Sequence, residues 1–514
     1  MASRIGRPEL WSPRMEQIVG LKRQALDRAR MSRDARFDGK FFIAVTSTRI
    51  YCRPICPSPH AKRQHVRYYP TAAAAAAAGF RPCLRCRPEA APGTAAWLGT
   101  SAVVRRALRL IDDGILDHRS VEDLAGRLGI GSRHLHRLFL RYVGASPVAM
   151  AQTRRLHFAK RLIDETHLPI TQIAFAAGFR SIRRFNSAFQ NTFCRAPRDQ
   201  RRRRSAEVLG NLDEVVLRLA FRPPYDWKQV LNFLGKRAVP GIELVDERSY
   251  KRTVRTGNKT YAVINVQAVE GENALELRVI GAPPAALLQI SASARRAFDI
   301  GSDPALIATA FRSDALLAPL VEQHPGLRIA GSWEPFECTV RVVLGEEISV
   351  AGACTLAELV ARTGQRISTV IPGLTHLFPT ASELANADLE ALGLTAERAG
   401  TLRILAEAVD ERRVDFQRTT EHICAKLASL PGVGHSRAQY VALRALGEPD
   451  AFPASDDQLR RSAAKGQVSL SASQLEARAE SWRPWRGYAA MYLWCAWAEK
   501  GRKDGLFTRP KRTD

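Results

Sequence analysis

Four cysteines in the first hundred residues have the spacing of a metal site. They form two short pairs, Cys52–Cys56 and Cys83–Cys86, joined by a connector of 26 residues or so. Two such pairs are typical of a tetrahedral site in which four thiolates bind one Zn²⁺ ion. The sequence therefore predicts a single zinc ion held by all four cysteines. Most Cys₄ sites are structural, so the spacing alone leaves open whether one of these sulfurs also reacts.

Positive charge surrounds the cysteines and dominates the whole chain. The 514 residues carry 77 Lys and Arg against 51 Asp and Glu, a formal net charge of +26. An excess of this size favours a polyanion as partner, although a merely solvated basic surface gives the same composition. No apolar run is long enough to span a bilayer, and the first residues contain no apolar signal core. We therefore expect a cytoplasmic, nucleoid-associated protein with no membrane partner.

Three sequence stretches around the cysteines resemble the N-terminal zinc domain of the Ada adaptive-response family. They are FDGKFFIAV from Phe37, YCRPICP from Tyr51 and GFRPCLRCRP from Gly79, and the resemblance covers about residues 30–90. It implies that Cys52 accepts a methyl group from a methylated DNA phosphate. Zn²⁺ keeps a bound thiolate deprotonated at neutral pH, which preserves its nucleophilicity. The basic residues expected to hold the flanking phosphates are Arg53, Arg67, Arg81 and Arg85.

The next hundred residues have helical periodicity and contain two similar units, 121–139 and 170–189. Each consists of a helix, a tight turn at glycine and a second helix, which is a helix-turn-helix pattern. The region resembles the AraC-type DNA-binding domain, in which a long helix, here near Pro147 to Glu165, joins the two units. Recognition helices are predicted to begin near Ser132 and Ser181.

Several side chains of these predicted recognition helices can reach base edges or phosphates. They are Arg133, His134, His136 and Arg137 in the first helix, and Arg180, Arg183, Arg184 and Asn186 in the second. A given arginine can equally well serve only to neutralise a phosphate, because about half or more of protein–DNA contacts do this. Three further histidines, His118, His157 and His167, are expected to be ordinary surface residues.

In the second half of the chain, the sequence LPGVG from Leu430 predicts the hairpin of a helix-hairpin-helix motif. Gly432 and Gly434 would let backbone amides approach a DNA phosphate at the start of the second helix. Residues 212–500 resemble the AlkA family of 3-methyladenine DNA glycosylases, with matching stretches GSWEPFE from Gly331 and WRPWRGY from Trp482.

The AlkA resemblance also implies roles for individual residues. Asp457, the second acid of an Asp-Asp pair, matches the essential carboxylate of that family, and Tyr440 and Trp494 match an aromatic pocket for a flipped base. Core packing is the alternative for either aromatic residue. Ser436 stands where bifunctional relatives carry a nucleophilic lysine, so no lyase activity is implied. Glu346 and Glu347 depart from the family pattern at the position of the wedge residue, which fills the gap that the flipped base leaves in the DNA duplex.

These patterns predict a multidomain protein, mostly α with α+β parts. Four strand-like runs are expected in the α+β region, at 215–221, 241–255, 261–269 and 274–280. The predicted segments are a disordered tail over 1–20, a Cys₄ zinc methyl-acceptor domain over 21–92, an all-α double helix-turn-helix domain over 97–204, a small α+β domain over 208–288, an all-α helix-hairpin-helix glycosylase domain over 289–501 and a charged tail over 502–514.

Together the resemblances imply a protein of the DNA alkylation response. It would take a methyl group from a methylphosphotriester onto Cys52, activate repair genes and hydrolyse the N-glycosidic bond of alkylated purines as a monofunctional glycosylase. The expected partners are double-stranded DNA and RNA polymerase, and the expected cofactor is one Zn²⁺ ion. The alternative is a regulator alone, in which a degenerate glycosylase half serves only to bind DNA.

Overall fold

The computed structural model describes residues 21–92, 102–201, 214–257, 259–345, 350–464 and 469–503. Its residues divide into two compact units. The first comprises residues 1–222 and 271–292, and the second comprises residues 223–270 and 293–514. Of the predicted tails over 1–20 and 502–514, residues 1–20 and 504–514 lie outside the described residues, as do Glu346 and Glu347. Arg502 and Lys503 belong to the last described helix.

The first unit begins with a small four-stranded sheet that carries the cysteines. Its strand order is β3-β1-β2-β4, with β1 antiparallel to β2 and β3, and β2 parallel to β4. The alanine run forms a short helix whose first residue is preceded by Thr71, and the Thr71 hydroxyl accepts a hydrogen bond from the Ala74 amide at 3.0 Å. Gly79 ends this helix region with φ of +83°, as its position predicts. The elements are α1 (Arg23–Met31), β1 (Phe42–Val45), β2 (Ile50–Cys52), β3 (Val66–Tyr69), α2 (Ala72–Ala77) and β4 (Arg81–Pro82).

The helical part of the first unit contains both predicted helix-turn-helix units. The joining helix runs from Pro147 to Glu165, as the sequence predicts, and Ala125 and Ala174 are buried where the helices of each unit cross. The helices are α3 (Ala102–Asp112), α4 (Ile115–His118), α5 (Val121–Arg127), α6 (Ser132–Tyr142), α7 (Pro147–Glu165), α8 (Ile170–Ala176), α9 (Ile182–Phe193) and α10 (Pro197–Arg201). The same unit includes an antiparallel pair of strands, β5 (Glu214–Ala220) and β9 (Ala274–Ile280).

Buried ion pairs join the zinc-domain segment to α7. The Lys160 side chain is 2% exposed, and its Nζ lies 2.7 Å from the Glu89 carboxylate and 2.6 Å from that of Asp164. Arg87 adds a bond of 3.1 Å to Glu165. A buried charge is tolerated only when it is paired, so these contacts fix the zinc domain against the joining helix.

The second unit contains a meander of three antiparallel strands. The strands are β6 (Glu243–Val245), β7 (Ser249–Arg255) and β8 (Tyr261–Ala268). The prediction of one strand-like run over 241–255 was wrong, because a turn divides it into β6 and β7. The Asp246 carboxylate accepts hydrogen bonds from the amides of Arg248 and Ser249, at 2.9 and 2.7 Å, and these bonds close the turn.

Helices form the rest of the second unit, as predicted for the glycosylase half. In the part of the chain that the structure describes, none of the helices is both long and apolar enough to cross a membrane. The helices are α11 (Trp227–Gly235), α12 (Leu287–Ala297, which contains the boundary between the units), α13 (Pro304–Phe311), α14 (Leu317–Gln323), α15 (Pro335–Leu344), α16 (Val350–Ala361), α17 (Ala381–Ala385), α18 (Ala396–Asp410), α19 (Thr420–Ala428), α20 (Gly434–Arg444), α21 (Asp457–Ser462), α22 (Ala472–Ala479) and α23 (Arg486–Lys503).

The buried pairing of Lys160 leads to a prediction about stability. Lys160→Ala leaves the fully buried Glu89 carboxylate without its closest cation. This should lower the free energy of local opening of α7 by about 3–5 kcal/mol. Hydrogen exchange of peptides from residues 147–165, read by mass spectrometry in the full chain, measures that change. Arg218→Ala is the matched control, because the Arg218–Glu272 pair is 44% and 55% exposed and should matter little. Equal exchange in the two variants would refute the role assigned to Lys160.

Candidate functional sites

Pairing between β2 and β4 brings the two cysteine pairs together. Cys52 is the last residue of β2, and Cys83 directly follows β4. The Cys83 amide donates a hydrogen bond of 2.9 Å to the carbonyl of Tyr51, which extends the pairing by one residue. Cys56 and Cys86 lie in the turns that follow their partners, so each short spacing returns a second thiol to the same point.

The four sulfurs have the donor set and the proximity of a zinc site. All four Sγ atoms lie within 4.8 Å of one another. Thiolates are preferred ligands of Zn²⁺, and the Arg53 amide lies 3.3 Å from the Cys86 sulfur, where it can stabilise negative charge. Cys56, Cys83 and Cys86 are buried, whereas Cys52 is only partly buried. Cys52 is therefore the least buried of the four cysteine residues.

The arginines predicted around the cluster differ in how available they are. Arg53 is turned inward: its side chain is 11% exposed, and it forms a bidentate pair with Asp38. It also donates a hydrogen bond of 3.1 Å to the Cys86 carbonyl. Arg53 therefore supports the cluster, whereas Arg81 is partly exposed and Arg85 is exposed.

The residue before Cys52 contacts the helix that joins the two helix-turn-helix units. The Tyr51 hydroxyl lies 3.0 Å from Nε2 of His157. The expectation that His157 is an ordinary surface residue was wrong, because α7 places it against Tyr51; His118 and His167 are exposed, as expected. Burial lowers the pKa of His157 to about 4 and raises that of Tyr51. The hydrogen bond therefore joins two neutral groups near neutral pH.

The two predicted recognition helices present their polar residues outward. In α6 and α9 the buried residues include Leu135, Phe139, Phe185 and Phe189, which pack into the helical core. The candidate DNA contacts lie on the opposite faces and are all exposed: Arg133, His134, His136, Arg137, Arg180, Arg183, Arg184 and Asn186. This arrangement leaves them accessible to a DNA groove.

The predicted helix-hairpin-helix motif is present in the second unit. Helices α19 and α20 pack together, and Gly432 and Gly434 have φ of +71° and +64° in the hairpin between them. A Cβ atom on Gly432 would lie 2.8 Å from Thr401, while the space around Gly434 is open. Glycine at both positions permits this backbone path and a close approach by a ligand.

A cavity of ≈ 690 Å³ opens beside this motif within the second unit. Tyr440 and Trp494 both line it, with ring centroids 5.7 Å apart in an edge-to-face arrangement. Ser436 lines it as well. The volume falls in the range typical of sites that enclose a small molecule or a single base.

Two arginines that the sequence did not single out shape this cavity. Arg444 donates a hydrogen bond of 2.6 Å to the Tyr440 hydroxyl, and its guanidinium carbon lies 4.5 Å from the Phe233 ring centroid. Arg237 lies 3.9 Å from the same ring, and burial lowers its pKa. The rings of Phe233 and Tyr440 are thus held by cation–π contacts and a hydrogen bond.

The structure gives the two acids of the Asp-Asp pair different surroundings. Asp456 lines the cavity, and its Oδ1 accepts hydrogen bonds from the Leu459 amide at 2.9 Å and the Trp494 indole at 3.1 Å. Burial raises the pKa of Asp456. Asp457, the sequence candidate, has a side chain that is 57% exposed and pairs with Arg461 at 2.7 Å. Asp457 lies between two cavity-lining residues, Asp456 and Gln458, but its carboxylate faces outward.

Three parts of the chain match models of known families. Residues 25–89 match the metal binding domain of Ada, residues 124–203 match a helix-turn-helix domain, and residues 216–334 match the AlkA N-terminal domain. Over 479 residues the chain is 39% identical to the probable bifunctional transcriptional activator/DNA repair enzyme AlkA of Mycobacterium tuberculosis, and covers 95% of it. That match includes 91% of this chain.

The chain belongs to this bifunctional activator and repair family. Two proteins of Escherichia coli K12 are similar to its separate parts. The chain is 32% identical over 282 residues to DNA-3-methyladenine glycosylase 2, which is 54% of this chain and 95% of that protein. It is 40% identical over 132 residues to the bifunctional transcriptional activator/DNA repair enzyme Ada, which is 26% of this chain and 35% of that protein.

Membership in the bifunctional family confirms the predicted fold class and the predicted combination of functions. The chain is a DNA repair protein and transcription activator that binds DNA and carries a DNA glycosylase of the 3-methyladenine type. The four-cysteine cluster, Cys52, Cys56, Cys83 and Cys86, is a zinc site.

Some residues of these sites carried no sequence signal. His157, Glu89 and Lys160 lie in ordinary helical or loop patterns, and only the packing of the zinc domain on α7 makes them partners. Arg237 and Arg444 are likewise two among 77 basic residues of the chain. Lys160 is 1% exposed, and a lysine so deeply buried needs a partner, but the sequence does not show that burial.

Proposed function

We propose that the first unit senses methylated DNA phosphates by consuming Cys52. The Cys52 sulfur attacks the methyl carbon of a phosphotriester, its electron pair forms the S–C bond, and the C–O bond breaks. The oxygen keeps the electron pair of the broken C–O bond and leaves as part of an ordinary phosphodiester anion. Zn²⁺, when bound by the four cysteines, keeps the attacking sulfur deprotonated. Cys52 is favoured because it is the least buried of the four cysteine residues and lies at the end of a strand.

The basic residues near Cys52 would position the DNA backbone for this reaction. Arg85 is the exposed one of the predicted arginines, and Arg67 and Arg81 are partly buried. Arg53 would act indirectly, because it is committed to Asp38 and to the Cys86 carbonyl. Its backbone amide and side chain would hold the Cys86 loop in place while the sulfur of Cys52 reacts.

Methylation of Cys52 would then switch the protein toward promoter DNA. The reaction removes one negative charge beside the DNA-facing surface, which lessens repulsion from phosphates. Tyr51, the neighbour of Cys52, is tied to His157 on α7, so the charge change occurs on a domain fixed to the DNA-reading helices. Activation would also require the promoter-bound protein to contact RNA polymerase.

The second unit would excise alkylated purines by N-glycosidic hydrolysis. The observation that carries this proposal is the cavity itself, in which Tyr440 and Trp494 form an aromatic pair beside the hairpin glycines. A base rotated out of the duplex would stack against these rings, and an alkylated purine, being cationic, is already a good leaving group. The well-formed cavity disfavours a half that serves only to bind DNA.

The two acids would have different roles: Asp456 would position an aromatic ring, and Asp457 would act at the glycosidic bond. Asp456 is occupied as the cap of α21 and as the acceptor for Trp494, so it positions the aromatic ring. Asp457 faces outward, where the sugar of an extruded nucleotide would remain while its base enters the cavity. Its carboxylate would stabilise positive charge at C1′ as the bond breaks. Ser436 cannot form a Schiff base, which favours a monofunctional enzyme.

The sensing proposal predicts a single modified residue. After the full chain is incubated with duplex DNA that contains methylphosphotriesters, peptide mass spectrometry should find one added methyl group, on Cys52. Cys52→Ala should accept none, because the other three cysteines are buried residues. Cys194→Ser is the matched control, since Cys194 is an exposed cysteine outside the cluster, and it should be methylated at Cys52 like the natural chain. A methyl group on Cys56, Cys83 or Cys86 instead would refute the assignment.

The excision proposal predicts that the two acids respond differently to amide substitution. Asp457→Asn should slow release of 3-methyladenine from alkylated DNA by on the order of 100-fold or more, because it removes the charge at C1′. Asp456→Asn keeps both an N-cap and an acceptor for Trp494, so it should reduce release by less than about 10-fold. Single-turnover rates of base release measure both effects. A larger loss in Asp456→Asn than in Asp457→Asn would contradict this assignment and would indicate that Asp456, which lines the cavity, is the reacting carboxylate.

A further inference from the structure

A second cluster of metal-ligating side chains lies in the second unit, away from the four cysteines. It consists of His324, at the C-terminal end of α14, with Cys495 and Glu499 on α23. Cys495 and Glu499 are four residues apart, so they lie on the same face of the helix. One ring nitrogen of His324, the Sγ of Cys495 and a carboxylate oxygen of Glu499 all lie within 4.8 Å of one another.

We propose that His324, Cys495 and Glu499 form a second site for a divalent transition-metal ion of the Zn²⁺ class. A nitrogen, a sulfur and an oxygen donor together suit Zn²⁺, whereas Ca²⁺ and Mg²⁺ prefer oxygen ligands alone. Three protein ligands would leave the fourth tetrahedral position for water.

The histidine provides an independent indication of a missing partner. Its side chain is 8% exposed, yet Nε2 makes no hydrogen bond to any residue that the structure describes. Glu499 Oε1 lies 3.3 Å from this nitrogen, but the two groups are not aligned as donor and acceptor. Two ligand atoms on one tetrahedral Zn²⁺ lie roughly 3.3 Å apart when each bond is about 2.0 Å, so this spacing fits a shared ion.

Neighbouring amides support the two anionic ligands. The Gln229 side chain donates a hydrogen bond of 3.3 Å to the Cys495 sulfur, and Gln323 donates one of 3.3 Å to the second carboxylate oxygen of Glu499. Hydrogen bonds of this kind orient metal ligands and stabilise their charged forms. They also leave Oε1 of Glu499 directed toward His324.

The position of the cluster gives the ion a structural role. Cys495 directly follows Trp494, whose ring lines the base cavity. An ion bound here would join the end of α14 to α23 and restrict the movement of the helix that carries Trp494. The expected effect is slower local opening of α23, and this can be measured without an activity assay.

The test counts metal ions in the full chain. After loading with Zn²⁺ and removal of the excess by gel filtration, elemental analysis should find one zinc ion for each of the two clusters. His324→Ala and Cys495→Ser should each lose one ion, whereas Cys424→Ser should retain both, because Cys424 is buried elsewhere in the same unit. A single zinc ion in the natural chain, or an unchanged count in Cys495→Ser, would overturn the proposal.

A second measurement guards against loss of metal through misfolding. Glu499→Gln changes a side chain that is 23% exposed and should leave the helix content unchanged by circular dichroism. Zn²⁺ should slow amide hydrogen exchange over residues 487–499 in the natural chain and should do so much less in Glu499→Gln. Equal protection in both proteins would show that no ion bridges these residues.

Discussion

The buried pairing of Glu89 with Lys160 is the interaction that holds the zinc domain against the helix-turn-helix part of the first unit. Neither charge can be left alone, because the cost of an unpaired buried charge is several kcal/mol. The segment that follows the zinc ligands is therefore held against α7, the helix that joins the two DNA-reading units. Because of this contact, a change of charge at Cys52 takes place at a fixed distance from the recognition helices.

Strand pairing and the two turns explain which cysteine remains partly exposed. Pairing of β2 with β4 turns Cys83 inward, and the two turns enclose Cys56 and Cys86, so only Cys52 at the strand end remains partly exposed. Arg53 completes the enclosure through Asp38 instead of reaching outward. A site that must hold its metal and also meet a DNA phosphate needs this asymmetry among its ligands. The structure supplies it by placing Cys52 at the end of β2, and Cys56 and Cys86 in the turns that follow the two strands.

The sequence was sufficient for features that depend on local spacing. The cysteine pairs, the helix from Pro147 to Glu165 and the hairpin glycines were all predicted within a residue or so, because each follows from a short motif. The contact between Tyr51 and His157 was missed, since the two residues are 106 positions apart and neither has a distinctive neighbour. The different surroundings of Asp456 and Asp457 were also missed, because adjacent identical residues do not reveal which of them is buried and hydrogen-bonded.

Binding of promoter DNA before and after methylation tests the central claim most directly. The full chain and its Cys52-methylated form are titrated with one duplex promoter fragment, selected for binding to the chain, at a fixed salt concentration. The account predicts a higher affinity after methylation, because one negative charge is lost on a domain that α7 holds beside the recognition helices. Equal affinity before and after methylation would contradict it.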